Sequence, residues 1–423
     1  VTRPAGERGR RLVADAPIPF DEAAARVRAE SRPLPAETIA LENAAGRVLA
    51  AGVTAPHPVP PFESSTVDGY AVRAEDVAGA SADAPVELAA AGEVMAGDAG
   101  GASLAPGTAR RIMTGAPVPA GADAVVMLEW TEVLTGRVRV ERGVEPGRFI
   151  RRVGEDVRQG DAVLAAGTRI GAAELGVLAS LGCTSFPVHR RPRVAVLATG
   201  DELLEAHEPL APGRIRSSNS WTLAAQAREA GADVRDLGIA RDDPGELARR
   251  LEAAGDCDVI LTSGGVSVGD RDHVQAVLAE LGFRRIFWRV TASPGKPLLF
   301  GRLGGALVFG VPGNPVSSMV SFENFVRPLL RRLQGDARPE RPRVRATLAD
   351  PIRGPKDRRH FARVRLSWGR DGFIAEEVRP HGSGNLRSMA NANALAVLPE
   401  GVEARERGET VEVMMLGEPD ARE

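Results

Sequence analysis

Between Arg193 and Leu333 the chain repeats one local pattern three times: an uninterrupted apolar run, a glycine-containing turn, then an amphipathic helix. The runs are 194–197, 259–261 and 306–309. Strands apolar on both faces belong in a sheet covered on both sides, which makes the pattern that of a parallel α/β sheet. Leu223, Ala227 and Ala230 fall at i, i+4, i+7, as do Leu247, Leu251 and Ala254, and Val274, Leu278 and Leu281. Each helix therefore has one apolar face to lay on the sheet. The expectation is a central doubly wound α/β domain over 188–336, with ligands bound at the carboxyl ends of its strands.

The flanks read differently. A chain of 423 residues exceeds one ordinary core, so further domains are expected. Residues 15–60 and 155–187 read as a discontinuous helical/β first domain. Ala24, Val27, Leu41, Ala44, Val48 and Leu49 give a helical pattern across 20–51, broken by Pro33 and Pro35, and a second helix at 172–181 is expected to pack back on it. Residues 61–154 carry short apolar runs at 86–88, 109–113, 124–128 and 138–140, separated by Gly and Pro, the mark of a β-rich second domain. After a linker marked by Pro339 and Pro342, the alternating runs 344–348, 362–366 and 410–414 suggest a small C-terminal β-barrel-like domain over 337–423.

Composition excludes several function classes. A net charge of −2 with no basic stripe interleaved with aromatics argues against a nucleic-acid partner. No apolar run approaches the roughly eighteen residues of a membrane span, so no membrane is expected either. The polar, Arg-rich start is not followed by an apolar signal region, and the expected location is cytoplasmic. Cys183 and Cys257 lie far apart without ligand spacing and read as core residues. No histidine metal motif and no Gly-x-Ser-x-Gly elbow occurs. What remains is a chemistry of positioning anions and a divalent ion.

The turns after the strands carry that chemistry. In Thr262-Ser-Gly-Gly-Val-Ser-Val-Gly-Asp270, glycines let successive N–H groups face outward as a nest for phosphate, although a plain tight turn accounts for the segment equally well. Phe309-Gly-Val-Pro-Gly-Asn-Pro-Val-Ser-Ser318 has the same setting, with Asn314 suited to the N-cap and Pro315 to the first helical position. In Ala198-Thr-Gly-Asp-Glu-Leu203 the acids Asp201 and Glu202 close a strand, as do Asp242 and Asp243 after 237–241. Asp243, followed by Pro244 and Glu246, makes a good N-cap, and Asp272 can be a first-turn acid. Each acid alone has a structural explanation. Together, Glu202, Asp242 and Asp272 beside phosphate-cradling loops make a reasonable Mg²⁺ site of hard oxygen ligands. Lys296, held between prolines in a chain whose only other lysine is Lys356, is either a point charge for an oxyanion or a solvated turn residue. Asp68-Gly69 alone reads as a hairpin turn.

Ser65-Thr-Val-Asp-Gly-Tyr-Ala-Val72, Arg111-Ile-Met-Thr-Gly-Ala-Pro-Val-Pro119, Ile150-Arg-Arg-Val-Gly-Glu-Asp156, Thr199-Gly-Asp-Glu-Leu203, Thr262-Ser-Gly-Gly-Val-Ser-Val-Gly269 and Pro312-Gly-Asn-Pro-Val-Ser317 occur in one order. In that order they resemble the molybdopterin molybdenumtransferase family, which includes bacterial MoeA and the gephyrin E domain, over about residues 15–415. The resemblance implies a four-domain subunit whose α/β domain binds molybdopterin. It also implies an elongated homodimer, with a cleft between the α/β domain of one subunit and the β-rich domain of its partner. The implied reaction joins molybdate to adenylylated molybdopterin, with Mg²⁺, and releases AMP and molybdenum cofactor. A separate molybdopterin adenylyltransferase is a possible partner.

By motif position the catalytic residues would be Asp68, Glu202, Asp242 and Asp272, the last three also binding the metal. Asp68, Thr114, Arg151 and Asp156 would form the partner's side of the cleft; Glu202, Asp242, Asp272, Lys296 and Pro315 would form the α/β side. Gly264, Gly265 and Ser267 would seat the pterin phosphate or adenylate, Thr199, Gly200, Ser263, Gly313 and Asn314 would be further substrate-binding residues, and Arg289, Arg151 and Ser388 would contact molybdate. Glu63, Ser217 and Ser293 depart from the family pattern, Ser293 replacing a customary lysine. Two rival readings are a molybdopterin adenylyltransferase, which lacks the flanking β modules, and a non-catalytic scaffold of the gephyrin type.

Overall fold

The computed structural model describes residues 16–99, 102–265 and 273–422. At its centre is a six-stranded sheet in the order Asp233–Ala240, Arg193–Thr199, Val259–Ser263, Ala306–Val311, Leu299–Leu303, Arg284–Trp288. The first four strands are parallel, and the last two join through antiparallel pairings, so that Leu299–Leu303 alone runs against the others, which the sequence pattern did not separate. Alternate side chains of each strand enter different cores, as the pleat requires. Val194, Val196, Val259, Leu261 and Phe309 pack on one face beneath the helices Asn219–Glu229 and Pro315–Ser321. Ala195, Leu197, Ile260 and Val308 pack on the other beneath Pro244–Glu252 and His273–Glu280. The sheet is thus doubly wound.

The helical pattern expected across 20–51 is realised only as Phe20–Glu30. Beyond it lie the strand Ala36–Ala40 and a short 3-10 turn, Leu41–Asn43. Ala44 and Leu49 are buried from irregular backbone, where prolines at 33 and 35 forbid continuation of the helix. Nor do the two helices pack together. Phe20, Ala23 and Val27 join the α/β core, whereas Leu178 of the Ala172–Ser180 helix packs with Ala44, Leu49, Val53, Ile170 and Val188. Apolar periodicity reveals a buried face but not its partner. The pairing of Ala36–Ala40 with Ser185–His189, and of Val53–Thr54 with Ala162–Leu164, draws early and late segments into one core.

Between them is a six-stranded sheet in the order Ala124–Met127, Gly69–Val72, Thr108–Ile112, Val86–Val94, Arg137–Val140, Thr131–Leu134. Gly69 does not turn a hairpin. Ser64–Ser65 pairs with Ile150–Arg151, while Gly69–Val72 pairs with two later strands, and a Cβ at Gly69 would collide with the Val126 backbone. Glycine is there for close approach of strands.

At the C-terminal end, Arg359–Gly369, Gly372–Glu377, Arg343–Leu348, Thr410–Met415 and Ala394–Leu398 pair in succession, and the last returns to the first. This closes a five-stranded barrel. Ala292–Ser293, from the α/β domain, pairs with Arg359 and His360 at its rim.

Candidate active site

The strands Arg193–Thr199 and Val259–Ser263 are neighbours, yet the helices that follow them lie on opposite faces of the sheet. Such divergence opens a crevice at the carboxyl ends. A cleft of about 280 Å³ lies there, lined among others by Thr199, Glu202, Asn219, Ser263, Gly264 and Gly313. Gly264 and Gly265 have φ of +93° and +63°. A Cβ on Gly264 would sit 2.6 Å from the Thr199 carbonyl oxygen, so no other residue fits this turn without displacing backbone. Asn314 and Pro315 occupy the N-cap and first helical positions, as their types suggest. The Asn314 side chain makes no capping bond, however, and it lines the cleft.

The acids approach from the adjoining edge. Arg241 donates to the carbonyls of Leu203 at 2.8 Å and Asp201 at 3.3 Å, and the Asp242 N–H donates to Asp201 Oδ1 at 3.2 Å. These bonds tie the Glu202 loop to the end of the Asp233–Ala240 strand. Asp243 accepts from the Glu246 N–H at 2.7 Å and is the N-cap its sequence indicated. Neither Glu202 nor Asp242 has an ion-pair partner among the described residues. Asp272 and Ser267 lie outside the described residues, and among those described no group of three or more His, Cys, Asp or Glu side chains is arranged to hold a metal ion.

A second cavity of about 440 Å³ lies between the barrel and the α/β domain, lined by Ser293, Arg353, His360, Arg363, Arg379 and His381 among others. Ser383 lines this cavity and Gly384 lines the cleft, while Ser383 accepts a bond from the Val316 N–H at 3.0 Å. The two spaces therefore share a wall. Arg363 is only 7% exposed and its Nε has no hydrogen-bond partner among the described residues. Burial pushes its pKa down, with Glu377 opposing. Glu377 also faces Arg379 and His381. Burial pushes His360 to about 4, so its ring is neutral at pH 7.

Other expected residues fall elsewhere. Asp68 and Thr114 meet: Asp68 Oδ1 accepts from the Thr114 N–H at 2.7 Å and from its hydroxyl at 2.9 Å. These two bonds, backbone first, hold the Asp68 carboxyl below the usual carboxylate range. Arg151 and Asp156 are exposed nearby, on the strand paired with Ser64–Ser65 and in the loop after it. Among the described residues, no hydrogen bond or ion pair joins this group to the cleft lining. Lys296 is exposed, one turn from Ser293. Arg289 stacks on Trp288, and Ser388 is buried with its hydroxyl donating to the Asn385 carbonyl. None of these three lines the cleft.

Sequence reasoning missed Arg363 and the cavity around it, because in an alternating run an arginine reads as solvent-facing. The clustered basic residues Arg358, Arg359, His360 and Arg363 were the available signal.

Against known proteins, three family models match in chain order: "MoeA N-terminal region (domain I and II)" at 18–182, "Probable molybdopterin binding domain" at 195–332 and "MoeA C-terminal region (domain IV)" at 345–416. The chain is 43% identical over 371 residues to a protein of Mycobacterium tuberculosis named molybdopterin molybdenumtransferase 2, covering 86% of this chain and 91% of that protein. It is 38% identical to the molybdopterin molybdenumtransferase of Bacillus subtilis over 412 residues, covering 96% of each. A solved structure of the molybdopterin biosynthesis moeA protein from Pyrococcus horikoshii superimposes with a TM-score of 0.83 at 32% identity, covering 95% of this chain and all, 100%, of that one.

Proposed function

The chain belongs to the molybdopterin molybdenumtransferase family, and on that premise we propose how its cleft and basic cavity divide the substrates of the last step of molybdenum cofactor biosynthesis. In that step molybdenum from molybdate joins adenylylated molybdopterin, and AMP leaves. The observation that carries our division is the shared wall between an apolar-floored, glycine-edged cleft and a cavity rich in arginine.

The cleft takes the adenylylated end. The Ser263 hydroxyl, whose Oγ accepts from Asn219 and whose proton is left to donate, and the Asn314 side chain, which makes no capping bond, line the cleft at the strand ends and suit phosphate oxygens. The basic cavity takes molybdate. A dianion there meets Arg363, whose Nε has no hydrogen-bond partner among the described residues, together with Arg353 and Arg379 at the rim. Neutral His360 leaves the guanidinium groups to supply the attraction.

Glu202 and Asp242 would hold Mg²⁺, with Asp272 as a third donor. Support for this comes from the carboxylate chemistry of all three, and from the common edge of Glu202 and Asp242 and the freedom of those two from ion pairs among the described residues. Bound there, the ion would supply Lewis acidity to the phosphoanhydride. Asp201 and Arg241 hold the Glu202 loop in place, so its carboxylate enters the site without reorganisation. Asp68, kept ionised by Thr114, belongs to the β-rich side, and we place it opposite the cleft of a second subunit in a homodimer.

The test is AMP release from adenylylated molybdopterin by purified protein with Mg²⁺ and molybdate. Glu202→Gln and Asp242→Asn should abolish turnover, and Arg363→Met should raise the molybdate KM at least tenfold. A normal molybdate KM in Arg363→Met would remove molybdate from the basic cavity.

A further inference from the structure

Asn219 begins the helix that follows the first strand turn of the α/β domain, and it is 7% exposed. Its Nδ2 donates to Ser263 Oγ at 2.7 Å and to the Gly313 carbonyl at 2.8 Å. Ser263 closes the strand Val259–Ser263 and Gly313 lies in the turn after Ala306–Val311, so the acceptors stand at the two glycine turns of the cleft. One amide nitrogen therefore ties the start of its helix to the ends of two neighbouring strands. The amide orientation is fixed, because the Gly313 carbonyl can only accept and must face the nitrogen. Asn219 Oδ1 is left buried without a partner among the described residues. The carboxamide cannot satisfy that oxygen by turning over without abandoning Gly313. A residue kept only for packing would not retain such an orphan, since an apolar side chain of similar size fills the space at less cost.

We propose that Asn219 is a positioning residue: its two donated bonds set the distance between the two glycine turns, and hence fit the cleft to the phosphate end of the adenylylated substrate. The gap has little slack. A Cβ on Gly313 would already stand 3.8 Å from Gly264 Cα, so a shift of one turn changes which N–H groups can reach a phosphate. Among the described residues, the side-chain bonds of Asn219 reach Ser263 and Gly313 and none reaches the basic cavity. The proposal rests on the reading of the cleft as the nucleotide end's seat.

The experiment measures AMP binding to the full chain by calorimetry, together with KM for adenylylated molybdopterin and for molybdate. Asn219→Asp is isosteric but has no donor, and it faces the Gly313 carbonyl with a carboxylate. It should weaken AMP binding and raise the KM for the adenylylated substrate at least tenfold, leaving the KM for molybdate within twofold. Should Asn219→Asp not fold, Asn219→Ala removes both donated bonds without adding a charge and leaves the cleft-lining groups in place, and it should weaken AMP binding threefold or more. Wild-type affinity in the folded variant overturns the proposal, as does an equal rise in both KM values. If the wild-type chain itself binds neither AMP nor the adenylylated substrate, the reading of the cleft falls and the proposal with it. Binding by wild type and variant alike removes Asn219 alone.

Discussion

Replacing Gly264 with alanine tests whether the cleft's shape is imposed by the fold. At φ +93° an alanine pays the left-handed penalty of about 1–2 kcal/mol. Its Cβ would also stand 2.6 Å from the Thr199 carbonyl oxygen and 3.0 Å from Thr199 Oγ1. Thr199 cannot retreat easily, because its strand is paired on both sides and the Gly200 N–H is bonded to the Ala240 carbonyl. Overpacking of this kind costs about 1–3 kcal/mol, for a total of about 2–5 kcal/mol. For a unit of this size that lowers the melting temperature by about 5–15 °C. Gly313→Ala is the control. It faces the same cleft, its φ is not in the left-handed region, and its Cβ would meet nothing nearer than 3.8 Å. Thermal unfolding followed by circular dichroism should show Gly264→Ala well below wild type and Gly313→Ala within about 2 °C of it. Equal melting of the two variants would refute the reasoning.

Three further outcomes follow from the same structure. His360 titrates at about 4 in the folded chain, against 6.5 when unfolded, so the unfolded chain takes up the proton first. Its contribution, about 3 kcal/mol, is whole above pH 6.5 and is lost as pH falls toward 4; His360→Gln should flatten that limb in urea unfolding measured across pH. Arg331 and Asp336 form an ion pair with side chains only 5% and 4% exposed. Asp336→Asn leaves the guanidinium uncompensated and should cost about 3–5 kcal/mol in urea unfolding, whereas a loss under 1 kcal/mol would show the pair to be idle. Thr114→Val removes the hydroxyl bond to Asp68 but keeps the backbone bond, so the Asp68 pKa should rise yet stay below the usual carboxylate range, as followed by NMR titration.

Much of this was legible because strands buried on both faces have an unmistakable pattern. The runs at 194–197, 259–261 and 306–309 all became central strands, and Leu223, Leu247 and Val274 all face the cores their spacing implied. The glycine turns were legible for the same reason, since each ends a strand. Partner choice was not legible. The Phe20–Glu30 helix has an ordinary amphipathic stripe, and nothing in it says that Phe20 will stack near Phe325 and Phe361 rather than on the Ala172–Ser180 helix. Arg363 and Asn219 escaped notice for a related reason. Each is a polar residue inside an element, and its burial depends on what another part of the chain lays across it.

The Ser64–Ser65 and Ile150–Arg151 pairing, continued by the bridge between Val59 and Val157, means that the β-rich sheet is entered and left through a two-stranded neck. Asp68 and Thr114 sit just past that neck, bonded to each other, with Arg151 in the neck itself. Any swing of the sheet about its stalk would therefore carry these groups together as a rigid jaw, while Glu202 and the glycine turns stay with the main body.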